Sequence, residues 1–161
     1  CLRIFLTSVF SNDLILVVVF LASRIAYYPL LSRHSAEWVT SMVNLEIEWS
    51  TPTAALDTFN RRKLLIACLL MRRPKILLMD EPASGLINTE IDELDLLLRK
   101  IADELGIAIL LIEHRLELVS AIANKVTVLD LGEIIATDNS DNIFENQAVQ
   151  EAYFGIDANK T

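Results

Sequence analysis

Glycine is scarce in this chain of 161 residues: the four are Gly85, Gly106, Gly132 and Gly155, and none precedes a Lys-Ser or Lys-Thr pair. A glycine-rich turn of the form GxxxxGK[ST], whose backbone amides and lysine surround a phosphate, is therefore absent. Cysteine is as rare, with Cys1 and Cys68 standing neither in CxxC spacing nor beside a histidine. That usage excludes a cysteine metal site and fits a reduced, cytosolic setting. Positive charge is short as well: 14 Lys and Arg against 22 Asp and Glu leave a net charge of -8. A nucleic-acid partner calls for a basic face that displaces counterions from phosphates, so the balance argues against nucleic acid.

A long hydrophobic run is also missing. The most apolar stretch is "LILVVVFLA", Leu14 to Ala22, with Asp13 before it and Arg24 soon after. A helix of that length covers roughly 14 Å, about half of a bilayer core. A spanning helix would have to include Arg24 and tolerate Pro29, which leaves a membrane anchor over Leu14 to Leu31 as an alternative to a soluble helix. The run lacks the basic start and the small-residue cleavage site of a signal peptide. The chain begins at Cys1 and not at methionine, which leaves room for a preceding segment.

What is present is apolar and patterned. Hydrophobic residues make up 53% of the chain and charged ones 22%, as in a folded protein with a sizeable core. The character changes near Arg73-Pro74. Before it, helices are expected around Leu14 to Tyr28, Ser35 to Glu48 and Thr58 to Met71, with Ser50 to Thr58 as the loop into the third. After it, strand and helix alternate. "KILLMD" is a short apolar run, as for a strand buried on both faces. In "NTEIDELDLLLRKIADELG" the residues Ile91, Leu94, Leu98, Ile101 and Leu105 recur on one helical face. Thr89 and Asp92 resemble a capping box, and Gly106 suits a left-handed stop. A second buried strand is expected from Ile107 to Glu113, then a short helix in "RLELVSAIA", an antiparallel hairpin around Leu131-Gly132, and one or two short helices in the tail. There Ile143, Phe144, Val149, Tyr153 and Phe154 are candidate buried residues.

A strand, a helix and a second strand form a right-handed βαβ crossover, so both strands run parallel and end on one edge of the sheet. Ligands of open α/β sheets bind at that edge. Asp80 and Glu81 close the first strand, and Glu113 and His114 close the second. Asp80 is placed to hold Mg²⁺ through water beside a phosphate, since hard cations prefer carboxylate oxygen. Glu81 can orient or deprotonate an attacking water. His114 can hydrogen-bond a terminal phosphate. Each alone has a bland alternative, a solvated strand end or a structural histidine.

Together, "ILLMDEPASGL" (Ile76 to Leu86) and "LLIEHRLELV" resemble the Walker B and switch-histidine regions of ABC transporter ATPases. Within that superfamily the likeness is to ATP-binding subunits of branched-chain amino-acid importers, which run IEHDMELV here and close on a tail like EAYLG. This chain reads Ile112 to Val119 and then Glu151 to Gly155, "EAYFG". The hairpin "VTVLDLGEIIA" is similar to the strand pair before that tail. The likeness is strong from about Leu64 to Gly155. Upstream it is looser: "MVNLEIEWSTPTAAL" resembles the stretch before the signature loop, and "LRIFLTSVFSNDLILV" the segment after the Q-loop.

The resemblance implies an α/β fold, a partial P-loop NTPase of the ABC ATPase kind. Residues 1–72 would be the remnant of a helical subdomain. Residues 73–161 would be the parallel βαβ core with its β-hairpin and short helices. It implies Asp80 as the Walker B aspartate acting on Mg²⁺, Glu81 as the catalytic glutamate and His114 as the switch histidine. Ala83 to Leu86 would open the D-loop, whose polar residue is replaced by Ile87 with Asn88 beside it. ATP and Mg²⁺ would be the ligands, and a second ATPase subunit and membrane permease subunits the partners. The place would be cytoplasmic, peripheral on the inner face of the membrane.

The chain departs from the family in three places. It has no Walker A, and its glutamines, Gln147 and Gln150, lie too late for the Q-loop. The signature loop LSGGQ falls on Leu56 to Asn60, "LDTFN", so that Asp57, Thr58, Phe59 and Asn60 replace its serine, glycines and glutamine. Phe59 would obstruct a γ-phosphate, and Asp57 would repel it. Arg61, Arg62 and Lys63 either match the basic residues after the signature or form a solvated helix face. Two readings follow: part of an importer ATPase that is not ATPase-competent alone, or a non-catalytic half-domain serving as an interaction module or without function. If strands from before Cys1 are needed beside "KILLMD" and "IAILLIE", unpaired edges would make the chain marginally stable or self-associating.

Overall fold

A computed structural model describes residues 3–7 and 33–154. Helix α1 spans Arg33–Met42 and α2 Thr58–Leu70, with a 3-10 turn at Thr53–Ala55 between them. Strand β2 (Ile76–Asp80), helix α3 (Asn88–Leu105) and strand β3 (Ala108–Ile112) follow in the expected order. The remainder is α4 (Leu116–Ile122), the hairpin strands β4 (Lys125–Asp130) and β5 (Glu133–Asp138), and the short helices α5 (Ser140–Ile143) and α6 (Gln147–Phe154). Strand β1 is Arg3–Thr7, a segment expected to lie in the helical half.

The sheet order is β2-β3-β1-β4-β5. The first four strands are parallel, with Asp80 opposite Ile112 and Phe5 also opposite Ile112. Strand β5 returns antiparallel on β4. Pairing of β3 on both sides corrects the expectation that it would lack partners: β1, from within the chain, supplies the missing neighbour. The helix expected at Leu14 to Tyr28, and with it the anchor alternative, lies outside the described residues. Among the described residues no helix is long and apolar enough to cross a membrane.

The core lies between the sheet and α3 and α4. Strand β2 alternates, with Leu77 and Met79 buried while Ile76 and Leu78 are exposed. The expectation of burial on both faces is thus corrected. This strand ends the sheet and, among the described residues, only one of its faces is covered, so its apolar run has the period-2 burial of a half-covered strand. On α3 the residues Ile91, Leu94, Leu98 and Ile101 are buried, joined by Leu97, while Leu105 is half-buried. The same cluster extends to α1 and α2, where Val39, Met42, Val43 and Leu45 join Phe59, Ile66 and Leu70. In the tail Ile143 and Val149 are buried, and Phe144 and Tyr153 pack partly against the same cluster. The side chain of Phe154 is outside the described residues.

Local signals explain most element ends. Gly106 stops α3 at φ 63°, a left-handed backbone that glycine adopts without strain. The start of α3 differs from expectation. Its N-cap is Ile87, which has no side-chain acceptor, so only the reverse half of a box forms: Ile87 N–H donates to Glu90 Oε2 at 2.9 Å, while Glu90 N–H donates to Ile87 O at 3.0 Å. Thr89 and Asp92 lie inside the helix and form no box, because the cap sits two residues before Thr89. The hairpin turns at Leu131 and Gly132 with φ of 48° and 87°. Both central residues are thus left-handed, the combination that matches the twist of paired strands.

Candidate functional site

Parallel pairing in register brings the ends of β2 and β3 to one rim. Beyond Asp80 the backbone pairs once more, Glu81 N–H donating to Ile112 O at 2.8 Å. Glu81 then turns with φ 45°, a left-handed conformation that a long side chain seldom adopts, and Ser84 N–H closes the turn on Glu81 O. Strain of this kind persists only where surrounding contacts over-determine it, and it concentrates at functional sites. The turn throws the Glu81 carboxylate toward His114, with Oε1 3.4 Å from Nδ1. Both side chains are about half exposed, at 50% and 55%, so the pair is open to a ligand from solvent.

Asp80 is less open. Partial burial raises its proton affinity above the ordinary aspartate range, and the neighbouring carboxylates of Glu81 and Glu113 push the same way. A rim that collects three carboxylates near one another favours a bound cation over free charge. Among the described residues no group of three or more His, Cys, Asp and Glu is arranged to hold a metal ion by itself. The fit to Mg²⁺ is accordingly that of one carboxylate, Asp80, which would reach the ion through water, its oxygen ligands coming from water and phosphate as is common for this ion.

Beneath the rim sits a residue that sequence reasoning noted only as a strand end. Glu113 is 1% exposed. Its Oε1 accepts from Ala83 N–H at 3.0 Å, and its Oε2 from His114 N–H at 3.0 Å and Arg115 N–H at 3.3 Å. Arg62, 8% exposed, donates to Pro82 O and, at 3.1 Å, to Ser84 O. Burial lowers the Arg62 pKa, and the charges of Glu113 and Glu90 oppose that shift. The signal for Glu113 was a charge closing an apolar strand; for Arg62 it was a cation on the inward face of a helix.

The signature-like loop is arranged differently. Asp57 is the N-cap of α2, with Oδ1 accepting from Asn60 N–H and Oδ2 from the Asn60 side-chain amide, both at 2.7 Å. Those bonds hold its carboxyl below the usual aspartate range. An anion at a helix N-terminus is favoured by the exposed amides and the helix dipole. Here that anion is the chain's own. Thr58 is exposed and Asn60 half-buried. Phe59 is 5% exposed and packs in the core, with Lys63 Nζ 4.6 Å from its ring centre. Its expected role as an obstruction is therefore corrected: the ring points inward, because an apolar side chain beside α1 gains more from burial than from facing water.

The solvated-face reading of the basic triplet fails for two of its three members. Arg62 and Lys63 are buried, Lys63 Nζ meeting Asn44 O at 3.0 Å and Glu93 Oε1 at 2.8 Å. Arg61 is exposed and donates to Leu56 O and Ala54 O, holding the signature-like loop to its own helix.

No protein-family model matches the chain. It is 36% identical over 122 residues to the high-affinity branched-chain amino acid transport ATP-binding protein BraF of Pseudomonas aeruginosa, covering 76% of this chain and 48% of that protein. It is 38% identical over 96 residues to the corresponding LivG of Escherichia coli, covering 60% of this chain and 38% of LivG. Among solved structures it is similar to cbiO1 of Clostridium perfringens, part of the ABC transporter complex cbiONQ, with a TM-score of 0.66, 28% identity, and coverage of 73% and 47%. The ATP-binding cassette MJ1267 shares the fold at a TM-score of 0.70 and 24% identity, with coverage of 81% and 54%. The homologues of this chain are ABC transporter ATP-binding proteins, branched-chain amino-acid importer ATPases among them, and its fold is in part that of ABC ATPases. The chain spans half or less of the length of these two curated relatives.

Proposed function

We propose that this chain corresponds to the Walker B and switch-histidine part of an ABC transporter's ATP-binding subunit, of the branched-chain amino-acid import kind, and that by itself it does not hydrolyse ATP. The observation that carries the reading is the juxtaposition of Asp80, Glu81 and His114 on one rim, with Glu81 and His114 3.4 Å apart. On this reading Mg²⁺, when bound with ATP, supplies positive charge to the phosphate oxygens. Asp80 would hold it through water, Glu81 would accept a hydrogen bond from an attacking water, and His114 would donate to the terminal phosphate. The partners are a second ATP-binding subunit and membrane permease subunits, on the cytoplasmic face. Residues 1–72 would mostly continue the helical subdomain and 73–161 the ATPase core, with β1 belonging to the latter.

Incompetence of the isolated chain rests on two features. The sequence holds no phosphate-cradling glycine loop, and the N-terminus of α2 is filled by Asp57. Titration of Mg-ATP into the purified chain by calorimetry is expected to give no detectable heat up to millimolar nucleotide. Micromolar binding that disappears in Asp80→Asn would overturn the expectation that the chain alone does not bind nucleotide.

The self-capped α2 also favours a second reading, a non-catalytic half-domain acting as an interaction module. Co-purification with permease and ATP-binding subunits of an importer, unchanged by a combined Asp80→Asn and Glu81→Gln replacement and without effect on transport, would favour it over the first.

A further inference from the structure

The Glu113 carboxylate lies under both loops of the rim. One oxygen takes the amide of Ala83, in the loop that follows Glu81, and the other takes the amides of His114 and Arg115. A carboxylate at 1% exposure is costly unless its oxygens are satisfied, and here three backbone donors satisfy them. Neither loop has another buried side chain joining it to the other in the described hydrogen bonds. We propose that Glu113 is a positioning residue, a buried clip that locks the loop after β2 to the loop after β3 and so sets the separation of Glu81 and His114.

Three features support this. The left-handed turn at Glu81 needs fixed points on either side; the bond to Ile112 O supplies one and Ala83 held by Glu113 the other. Arg62 fastens the same loop from behind through the carbonyls of Pro82 and Ser84, so the loop is held by a donor on one side and an acceptor on the other. The charges of Arg62 and Glu113 also oppose one another across it, which lowers the cost of burying each. Because Arg62 belongs to α2, the clip joins the helix behind "LDTFN" to both loops of the rim. The inference concerns geometry; only its consequence for hydrolysis rests on the roles proposed for Glu81 and His114.

Glu113→Gln is the decisive replacement. It preserves volume, but a carboxamide has one acceptor oxygen, and its NH₂ must face a backbone donor. One loop should therefore be released while the other stays. In residue-resolved hydrogen exchange on the full chain, about tenfold faster exchange is expected either at Ala83 or at His114 and Arg115. Amides of the α3 interior such as Leu98 should keep their wild-type rates. A second readout reports position and not stability: Glu81→Gln should shift the His114 ring resonances in the wild-type background and lose most of that effect in Glu113→Gln. Unchanged exchange at all three amides would overturn the proposal, as would acceleration spread evenly through α3 and β3, or an undiminished response of His114. None of these outcomes depends on nucleotide, so the clip and the proposed ATPase role can fail separately.

Discussion

The rim of β2 and β3 and the N-terminus of α2 each turn on one acidic residue, and the two acids are used in opposite ways. Glu113 is buried and accepts from amides of two separate loops, leaving Glu81 and His114 half exposed above it. Asp57 is exposed and accepts twice from one neighbour, Asn60, closing the helix end on itself. A carboxylate placed beneath a site organises it from behind. The same group placed in the mouth of a helix takes the position an external anion would need. The comparison teaches that one residue type serves opposite ends according to placement: Glu113 ties together segments 30 residues apart, whereas Asp57 is satisfied within its own helix start.

The comparison is broken most sharply at Phe59. If the signature-like loop were a ligand face, truncating Phe59 would be tolerated. Buried in the α1 and α2 cluster, Phe59→Ala is instead expected to cost about 3 to 5 kcal/mol in urea unfolding. A loss under about 1 kcal/mol would mean that the ring is not the anchor of that loop.

A smaller effect tests the rim. Asp80 has its pKa raised, first by burial and then by Glu81 and Glu113. A carboxyl whose folded pKa lies above its unfolded value contributes stability fully present below pH of about 4, and that contribution is lost as pH rises through the folded pKa. Asp80→Asn removes the repulsion and should stabilise the chain near pH 7 by under about 1 kcal/mol, since the group is only partly buried and solvent screens its neighbours' charges. Its stability should also change less than wild type between about pH 4 and 7. Thermal melts across that range check both, and a variant less stable than wild type at pH 7 would show that Asp80 is favourably paired.

Much of the core was legible because periodicity and turn chemistry agreed there. The stripe Ile91, Leu94, Leu98 and Ile101, the stop at Gly106 and the turn at Leu131-Gly132 all followed from residue type and spacing. Asp80, Glu81, Glu113 and His114 came to one rim because strand ends in a βαβ unit must meet there. Partnership was less readable. Nothing in "RIFLT" announces that it pairs with both β3 and β4, and a one-sided cover for β2 depends on which strand lies at the edge. The burial of Phe59, Arg62 and Lys63 escaped for the same reason. Charge on a helix face and an aromatic ring at its start suggest a surface, whereas their burial was decided by α1 and by the backbone carbonyls of Asn44, Pro82 and Ser84.

The smallest effect isolates the cap itself. The Asp57 carboxyl is held below the ordinary value by the Asn60 amide first of all, so its charged form is the one the helix end favours. A folded pKa below the unfolded one contributes stability present above the unfolded value, near pH 4, and lost as pH falls through the folded value. Asn is as good a cap as Asp but carries no charge. Asp57→Asn should therefore leave Asn60 amide exchange almost unchanged at pH 7, while removing the acid-dependent part of its protection below about pH 4. Asp57→Ala should lose protection at every pH, because no acceptor remains. If Asn and Ala behaved alike, charge and not the hydrogen bond would hold the helix end. The mouth of α2 would then be a general anion site occupied by Asp57 only for want of a ligand, and its contrast with the rim would be one of occupancy and not of design.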